Sequence, residues 1–259
     1  MTQENPDKSI GLALSGGAVL GAAHIGVLRA LEEEGIRASC VAGTSAGAIV
    51  GALYAFGLPI QEIETLICEL SWLNIANIKP SRLGLLSISR LGEFLIDTLG
   101  DVNVEDAKLP LAIVAADIHT GERLVLREGN LATAVTASSC IPGIFTPVQW
   151  QDRLLVDGGI VENLPVDTVR ELGADSVIGV NLFTAGLYPE PKTIIDVVLN
   201  ASNILIAHTR LSDKRDHEVI VTPELNAYSS VDTGHLRELV EEGYRAAVKA
   251  MDEIRRIIT

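Results

Sequence analysis

Short apolar runs that end at glycine turns alternate with longer stretches of helical period along this chain. Ile10 to Leu14 reads as a first strand, followed by a turn at Ser15-Gly16-Gly17. From Gly21 to Glu34 the apolar residues Ile25, Leu28 and Leu31 recur at helical spacing. Gly35 fits the C′ position after that helix, with Ile36 as its hydrophobic contact. Ser39 to Ala42 predicts a second strand, Gly47 to Phe56 a buried helix, and Ile60 to Leu70 another. Leu111 to Ala116 predicts a core strand, with Arg123 to Leu126 as its hairpin neighbour across Thr120-Gly121. A helix over Leu131 to Ser138, a strand over Arg153 to Val156 and a helix opened by Pro165 and running to Leu172 come next. A strand at Ser176 to Val180, a helix at Ile194 to Leu211, a strand at Glu218 to Val221 and a closing helix at His235 to Ile258 complete the series. Such alternation predicts an α/β fold with a mostly parallel sheet. Residues 71–108 are less regular and predict a cap or flap, with a short helix near Leu91 to Leu99 and Trp72, Leu85, Leu86 and Phe94 as candidates for an apolar lip or for core packing. No repeat or linker interrupts the pattern, so residues 9–259 are expected to form one domain behind a frayed polar tail at 1–8.

Composition narrows the chemistry. The chain has 259 residues, 47% of them hydrophobic, and a mean hydropathy of +0.31, yet no run reaches the roughly 18 uninterrupted apolar residues of a membrane span. A net charge of −14 argues against a nucleic-acid partner. It leaves room for peripheral contact with a lipid surface through a local apolar patch. The N-terminal residues lack a signal-peptide pattern. Cys40, Cys68 and Cys140 lie in apolar surroundings without a CxxC, which predicts reduced thiols and a cytoplasmic location. His24, His119, His208, His217 and His235 show no metal-ligand spacing, so neither a metal nor a cofactor is expected. Glu32-Glu33-Glu34 and Glu241-Glu242 read as solvated faces, and Arg123, Arg127 and Arg153 are too scattered to make a basic patch.

Three glycine-bearing turns follow strands, at the sheet edge where α/β enzymes place their sites. The first, Gly16 to Gly21, offers backbone N–H groups at a helix start, which suits an anion or an oxyanion. It lacks the Lys-Ser/Thr of a phosphate-binding P-loop. As a dinucleotide fingerprint it lacks the middle glycine and the acidic residue after the second strand. A tight turn with no ligand remains open. The second turn, Gly43-Thr44-Ser45-Ala46-Gly47, sets a serine between strand and helix, with glycines where a Cβ would clash. The third, Asp157-Gly158-Gly159, ends an apolar strand with a carboxylate that partial desolvation would make more basic; a simple Asx turn is its structural alternative. A conventional serine triad would need a late histidine. His208, His217 and His235 come late enough, but none sits in a clear strand-end loop.

Together these turns resemble those of the patatin-like phospholipase family. The flanking stretches agree as well: Ala22-Ala23-His24-Ile25-Gly26-Val27-Leu28 after the first turn, Ala137 to Phe145 before the last, and Asn163-Leu164-Pro165 after it. The resemblance spans about residues 9–180 and implies a three-layer α/β/α fold and a metal-free lipid acyl hydrolase working through a Ser–Asp dyad. Ser45 would be the nucleophile and Asp157 the base. Gly16, Gly17 and Ala18 would form the oxyanion hole, with Gly21, Gly43, Thr44, Ala46, Gly47, Gly158 and Gly159 shaping the turns. The chain departs from the family at Ala18, where glycine is usual, and at Leu20, where Arg or Lys is usual. These departures point toward neutral esters, or toward a weakly active module that binds acyl groups in a regulatory role.

Overall fold

The computed structural model describes residues 8–70, 83–183, 190–208 and 216–258. The tail expected over 1–8, apart from Lys8, lies outside them. So do Trp72, the first part of the expected flap, and the last three residues of the helix expected over 194–211.

An eight-stranded sheet forms the middle layer. Its strands are β1 (Ile10–Leu14), β2 (Cys40–Thr44), β3 (Leu111–Asp117), β4 (Arg123–Leu126), β5 (Val148–Trp150), β6 (Arg153–Asp157), β7 (Ser176–Val180) and β8 (Glu218–Val221). Five of them run parallel in the order β3-β2-β1-β7-β8, while β4, β5 and β6 extend the sheet in antiparallel pairs. The three-residue β5 was not legible in the sequence pattern. It exists because Val148, Gln149 and Trp150 pair with Leu155, Leu154 and Arg153.

Alternation along the strands divides the core between two faces. Leu12, Leu14, Val41, Ile113, Ala115, Ile178 and Val180 point into the larger cluster. Ala13, Cys40, Ala42, Ala112 and Val177 point into the smaller one. The smaller face is closed by Val166 and Val169 of helix α7 (Val166–Glu171). The larger face carries α1 (Ala22–Glu33), α2 (Ala46–Ala55), α3 (Ile60–Glu69), α4 (Ser89–Leu99), α5 (Leu131–Ser138) and the long closing helix α9 (Leu236–Ile258). A single turn, α6 (Gly159–Glu162), and the helix α8 (Ile194–His208) complete the set. Phe94, one of the expected lip residues, packs against the larger core.

Local signals held where they had a mechanism. Gly35 adopts φ +70°, its N–H donates to the Glu32 carbonyl, and Ile36 donates to Leu31 at 2.9 Å, so α1 ends as its C′ glycine predicts. Pro165 stands one residue ahead of its helix, as N-cap. The first turn tightens into a 3₁₀ segment, Ala18–Gly21, that runs straight into α1.

Strand β3 sets the geometry of the whole centre. Ile113 and Val114 pair with β2 and with β4, while Ala115 and Ala116 pair with β4 and with β6. Because β4 takes one edge throughout, β2 and β6 must share the other. Thr44, the last residue of β2, lies beside Val114; Asp157, the last residue of β6, lies beside Ala115. Two strands of opposite direction thus end head to head.

Helices α1 and α9 approach backbone to backbone. A Cβ on Gly243 would overlap the Ala23 carbonyl, and one on Gly26 would overlap the Val240 carbonyl. Gly243→Ala is expected to lower stability by about 1–3 kcal/mol through overpacking. Urea unfolding should show this as a lower midpoint at unchanged slope.

Candidate active site

Ser45 sits at the break between β2 and α2 with φ +52° and ψ −120°, a conformation L residues rarely hold without support. Support comes from both sides. The Ser45 N–H donates to the Ser138 hydroxyl at 2.8 Å, and its carbonyl accepts from Ala48 and Ile49. The Thr44 hydroxyl donates to the Glu162 carbonyl at 2.9 Å, tying the turn to α6. Glycine is required on either side for space: a Cβ on Gly43 would overlap Gly47, and one on Gly47 would overlap the Leu14 carbonyl. Gly21 packs in the same way on Ala46.

Asp157 ends β6 and is buried. Its N–H donates to the Cys140 carbonyl, and its Oδ1 accepts from the Gly159 N–H, both at 2.8 Å. Burial pushes the carboxyl up to about 6, with the Gly159 N–H and the Ser45 hydroxyl opposing part of that rise. The two side chains therefore face each other across the seam on β3.

The first turn closes over them. Gly16 donates its N–H to the Asn163 side-chain oxygen at 3.1 Å and to the Asn163 carbonyl at 3.3 Å. A Cβ on Gly16 would meet Asn163 Oδ1 at 2.6 Å and Ser45 Cβ at 3.1 Å, so this turn lies directly on the serine. With Gly16 engaged, the Gly17 and Ala18 N–H groups are those without an acceptor among the described residues. Ala18 holds φ +49°, the left-handed region, where a glycine costs less. Leu20 is buried in the larger core, so this turn presents no charge at that position.

Beneath the turn lies His24, fully buried. Its Nε2 is 2.8 Å from the Ser15 carbonyl, which can only accept, so Nε2 carries the proton. Burial outweighs that bond and pushes the imidazole down to about 4, leaving it neutral, with Nδ1 unpartnered among the described residues. His235 lies near Asp232 and Glu238 on the surface, and His217 is exposed with φ +60°. His208 falls in α8, its side chain outside the described residues. Among the described residues no histidine lines the cavity. No cluster of metal-ligating side chains occurs among them either. Cys40 and Cys140 are buried free thiols pushed up to about 11 and 12, and Cys68 is free and half-buried.

Ser45, Asp157 and the first turn open on one cavity of about 320 Å³. Its walls are mostly apolar: Leu86, Ile141, Ile144, Phe145, Ile160, Phe183, Leu199 and Ile206. Asn163 and Ser139 also line it, and the buried Ser139 hydroxyl has no hydrogen-bond partner among the described residues. Leu86 justifies part of the expected lip. Ser138, Ser139 and Asn163 were missed as individual residues, although each stood in a flanking stretch that matched the family.

The sequence model of the patatin-like phospholipase family matches residues 12–170. The chain belongs to this family. The Uncharacterized NTE family protein Rv1063c of Mycobacterium tuberculosis is 34% identical over 175 residues, covering 67% of this chain and 49% of its own length. Neuropathy target esterase sws of Drosophila melanogaster is 34% identical over 182 residues, 67% of this chain and 13% of that protein. Lysophospholipase NTE1 of Pyricularia oryzae is 25% identical over 96% of this chain and 19% of its own length. The chain thus spans about half or less of these relatives. Among solved structures, VipD from Legionella pneumophila shares the fold with a TM-score of 0.66 at 15% identity, over 96% of this chain and 67% of that one. ExoU from Pseudomonas aeruginosa, in its complex with SpcU, aligns with a TM-score of 0.51 at 18% identity, over 97% of this chain and 52% of that one.

The buried carboxylate carries a stability cost that pH reveals. The folded-state value near 6 exceeds the ordinary 3.8, so the unfolded chain ionises first as pH rises. The Asp157 contribution to stability is therefore full below 3.8, falls through the window up to about 6, and is flat above it. Asp157→Asn is expected to be more stable than wild type at pH 8 by up to about 3 kcal/mol, with the difference gone at pH 3.5. Melting temperatures of both proteins across pH 3.5–8 check this.

Proposed function

We propose that this patatin-like lipid hydrolase cleaves carboxylic esters of lipids through a Ser45–Asp157 dyad and a covalent acyl-enzyme. One observation carries the reading: the serine at the strained turn and a carboxylate raised to about 6 meet on the wall of an apolar cavity. A base with that value is matched to neutral pH. Asp157 takes the proton as Ser45 Oγ attacks the ester carbonyl carbon. The carbonyl electrons move onto oxygen, where the Gly17 and Ala18 N–H groups receive them; removing one such donor typically costs about 3–4 kcal/mol of barrier. Collapse breaks the bond to the alcohol, which leaves with the proton from Asp157. Water then repeats the sequence on the acyl-enzyme, with Asp157 again as base.

Helix α8 supports a lipid source for the ester. Leu199, Ser202, Asn203 and Ile206 on one side of it wall the cavity. Ile194, Val197, Ile204 and Leu205 lie on the opposite side and are exposed, Ile194 at 76%. Val231 both lines the cavity and is 61% exposed, which marks the mouth. An apolar stripe beside an acyl pocket suits contact with an uncharged or zwitterionic lipid surface. Among the described residues no helix is long and apolar enough to cross a membrane.

A second reading has its own support. Ala18 strains the turn that would hold the oxyanion, and Leu20 replaces a charge, which fits a feebly active protein that binds acyl groups. A fluorophosphonate probe separates the two. The enzyme reading expects labelling of wild type, none of Ser45→Ala, and a loss of about 10³-fold or more in ester hydrolysis for Asp157→Asn. No labelling of wild type supports the binder. His24→Ala, His217→Ala or His235→Ala abolishing turnover while Asp157→Asn keeps it would replace the dyad by a triad.

Two further outcomes are expected. The rate constant kcat/KM on a soluble ester should rise with pH through about 6 and then level, following ionisation of Asp157. Val197→Asp and Leu205→Asp should slow hydrolysis of esters embedded in phosphatidylcholine vesicles and leave hydrolysis of a short soluble ester within about twofold of wild type.

A further inference from the structure

We propose that Ser138 is a positioning residue that holds the nucleophile's backbone in its strained conformation by bridging the break between β2 and β3. The proposal rests on the reading of Ser45 as nucleophile.

At the seam on β3 a strand ladder stops and another of opposite direction begins, between Val114 and Ala115. Backbone groups at such a break, buried and unpaired, are costly. Ser138 is fully buried there, as the last residue of α5. Its Oγ accepts the Ser45 N–H at 2.8 Å and donates to the Val114 carbonyl at 2.6 Å. A hydroxyl fills both roles at once, having one donor and two lone pairs. It therefore stands as a spacer between two backbones and lets β2 lift away from β3 at the residue that must turn. The same carbonyl is where Gly158 packs: a Cβ there would overlap Val114 O. Two residues beyond Ser138, the Cys140 carbonyl accepts the Asp157 N–H at 2.8 Å. One short segment thus holds the backbone N–H of both Ser45 and Asp157.

A serine at a helix end commonly bonds back to a carbonyl of its own helix. Ser138 does not; its proton goes to a strand 24 residues away. Its place is at the turn rather than in α5.

The test compares wild type with Ser138→Ala, Ser138→Cys and Ser45→Ala. It measures kcat and KM on a soluble ester, the second-order rate of fluorophosphonate inactivation, and melting temperature. In Ser138→Ala we expect kcat and the inactivation rate to fall on the order of 100-fold with KM within about twofold, since a small displacement of a reacting group costs that much. Ser138→Cys, whose thiol is a weaker donor and acceptor, should fall between the two. Should Ser138→Ala fail to fold, Ser138→Cys decides alone. Wild-type kcat and inactivation rate in the folded variant, even with a lowered melting temperature, overturn the proposal and leave Ser138 a stabilising hydroxyl only. Equal labelling of wild type and Ser45→Ala would instead sink the reading of the nucleophile.

Discussion

One edge of strand β3 is shared by two strands that run toward each other, and the centre of this protein follows from that. A continuous parallel neighbour would have consumed the edge and kept Thr44 and Asp157 apart. Handing the edge from β2 to β6 between Val114 and Ala115 sets their ends side by side. Each chain must then leave the sheet within a residue or two. That requirement explains the positive φ of Ser45, the small residues at 43, 47 and 158, and the hydroxyl of Ser138 between two backbones. The strain is held in place by packing on all sides, the condition under which rare backbone conformations persist.

Electrostatics at this point work against stability. A buried carboxylate with two hydrogen-bonding neighbours, and no cation beside it among the described residues, is held near 6. Other buried acids have a cation at hand: Arg170 pairs with Glu218 and Arg153 with Asp117. No such pairing reaches Asp157 among the described residues. The same desolvation that costs folding energy raises basicity, a trade often met at functional sites. His24 follows the same logic with opposite sign: burial keeps it neutral, so it serves as a donor to the Ser15 carbonyl beneath the glycine turn.

The family relationship fixes the fold. The chain covers only part of the relatives it matches, and their other regions have no counterpart in that overlap. In its first turn, alanine at 18 occupies a left-handed position and leucine at 20 joins the core.

The sequence by itself determined the strand and helix identities, because period and glycine boundaries are local. Strands β1, β4, β7 and β8 and helix α5 match their expected spans. It also offered Ser45 and Asp157 as candidates, through three glycine turns and their flanking stretches standing in one order; each turn alone has a plain structural reading, a tight Gly-rich turn or an Asx turn. Tertiary structure decided the rest. No local rule says that β6 takes the same edge as β2, because register is a relation between segments far apart in the chain. Hence Ser138 and Asn163, whose importance lies in the backbone groups they hold, looked like ordinary helix and loop residues. The short β5 became a strand only by pairing with β6. Which backbone amide of the first turn stays free was likewise settled by a partner, Asn163, that reaches it from 147 residues away.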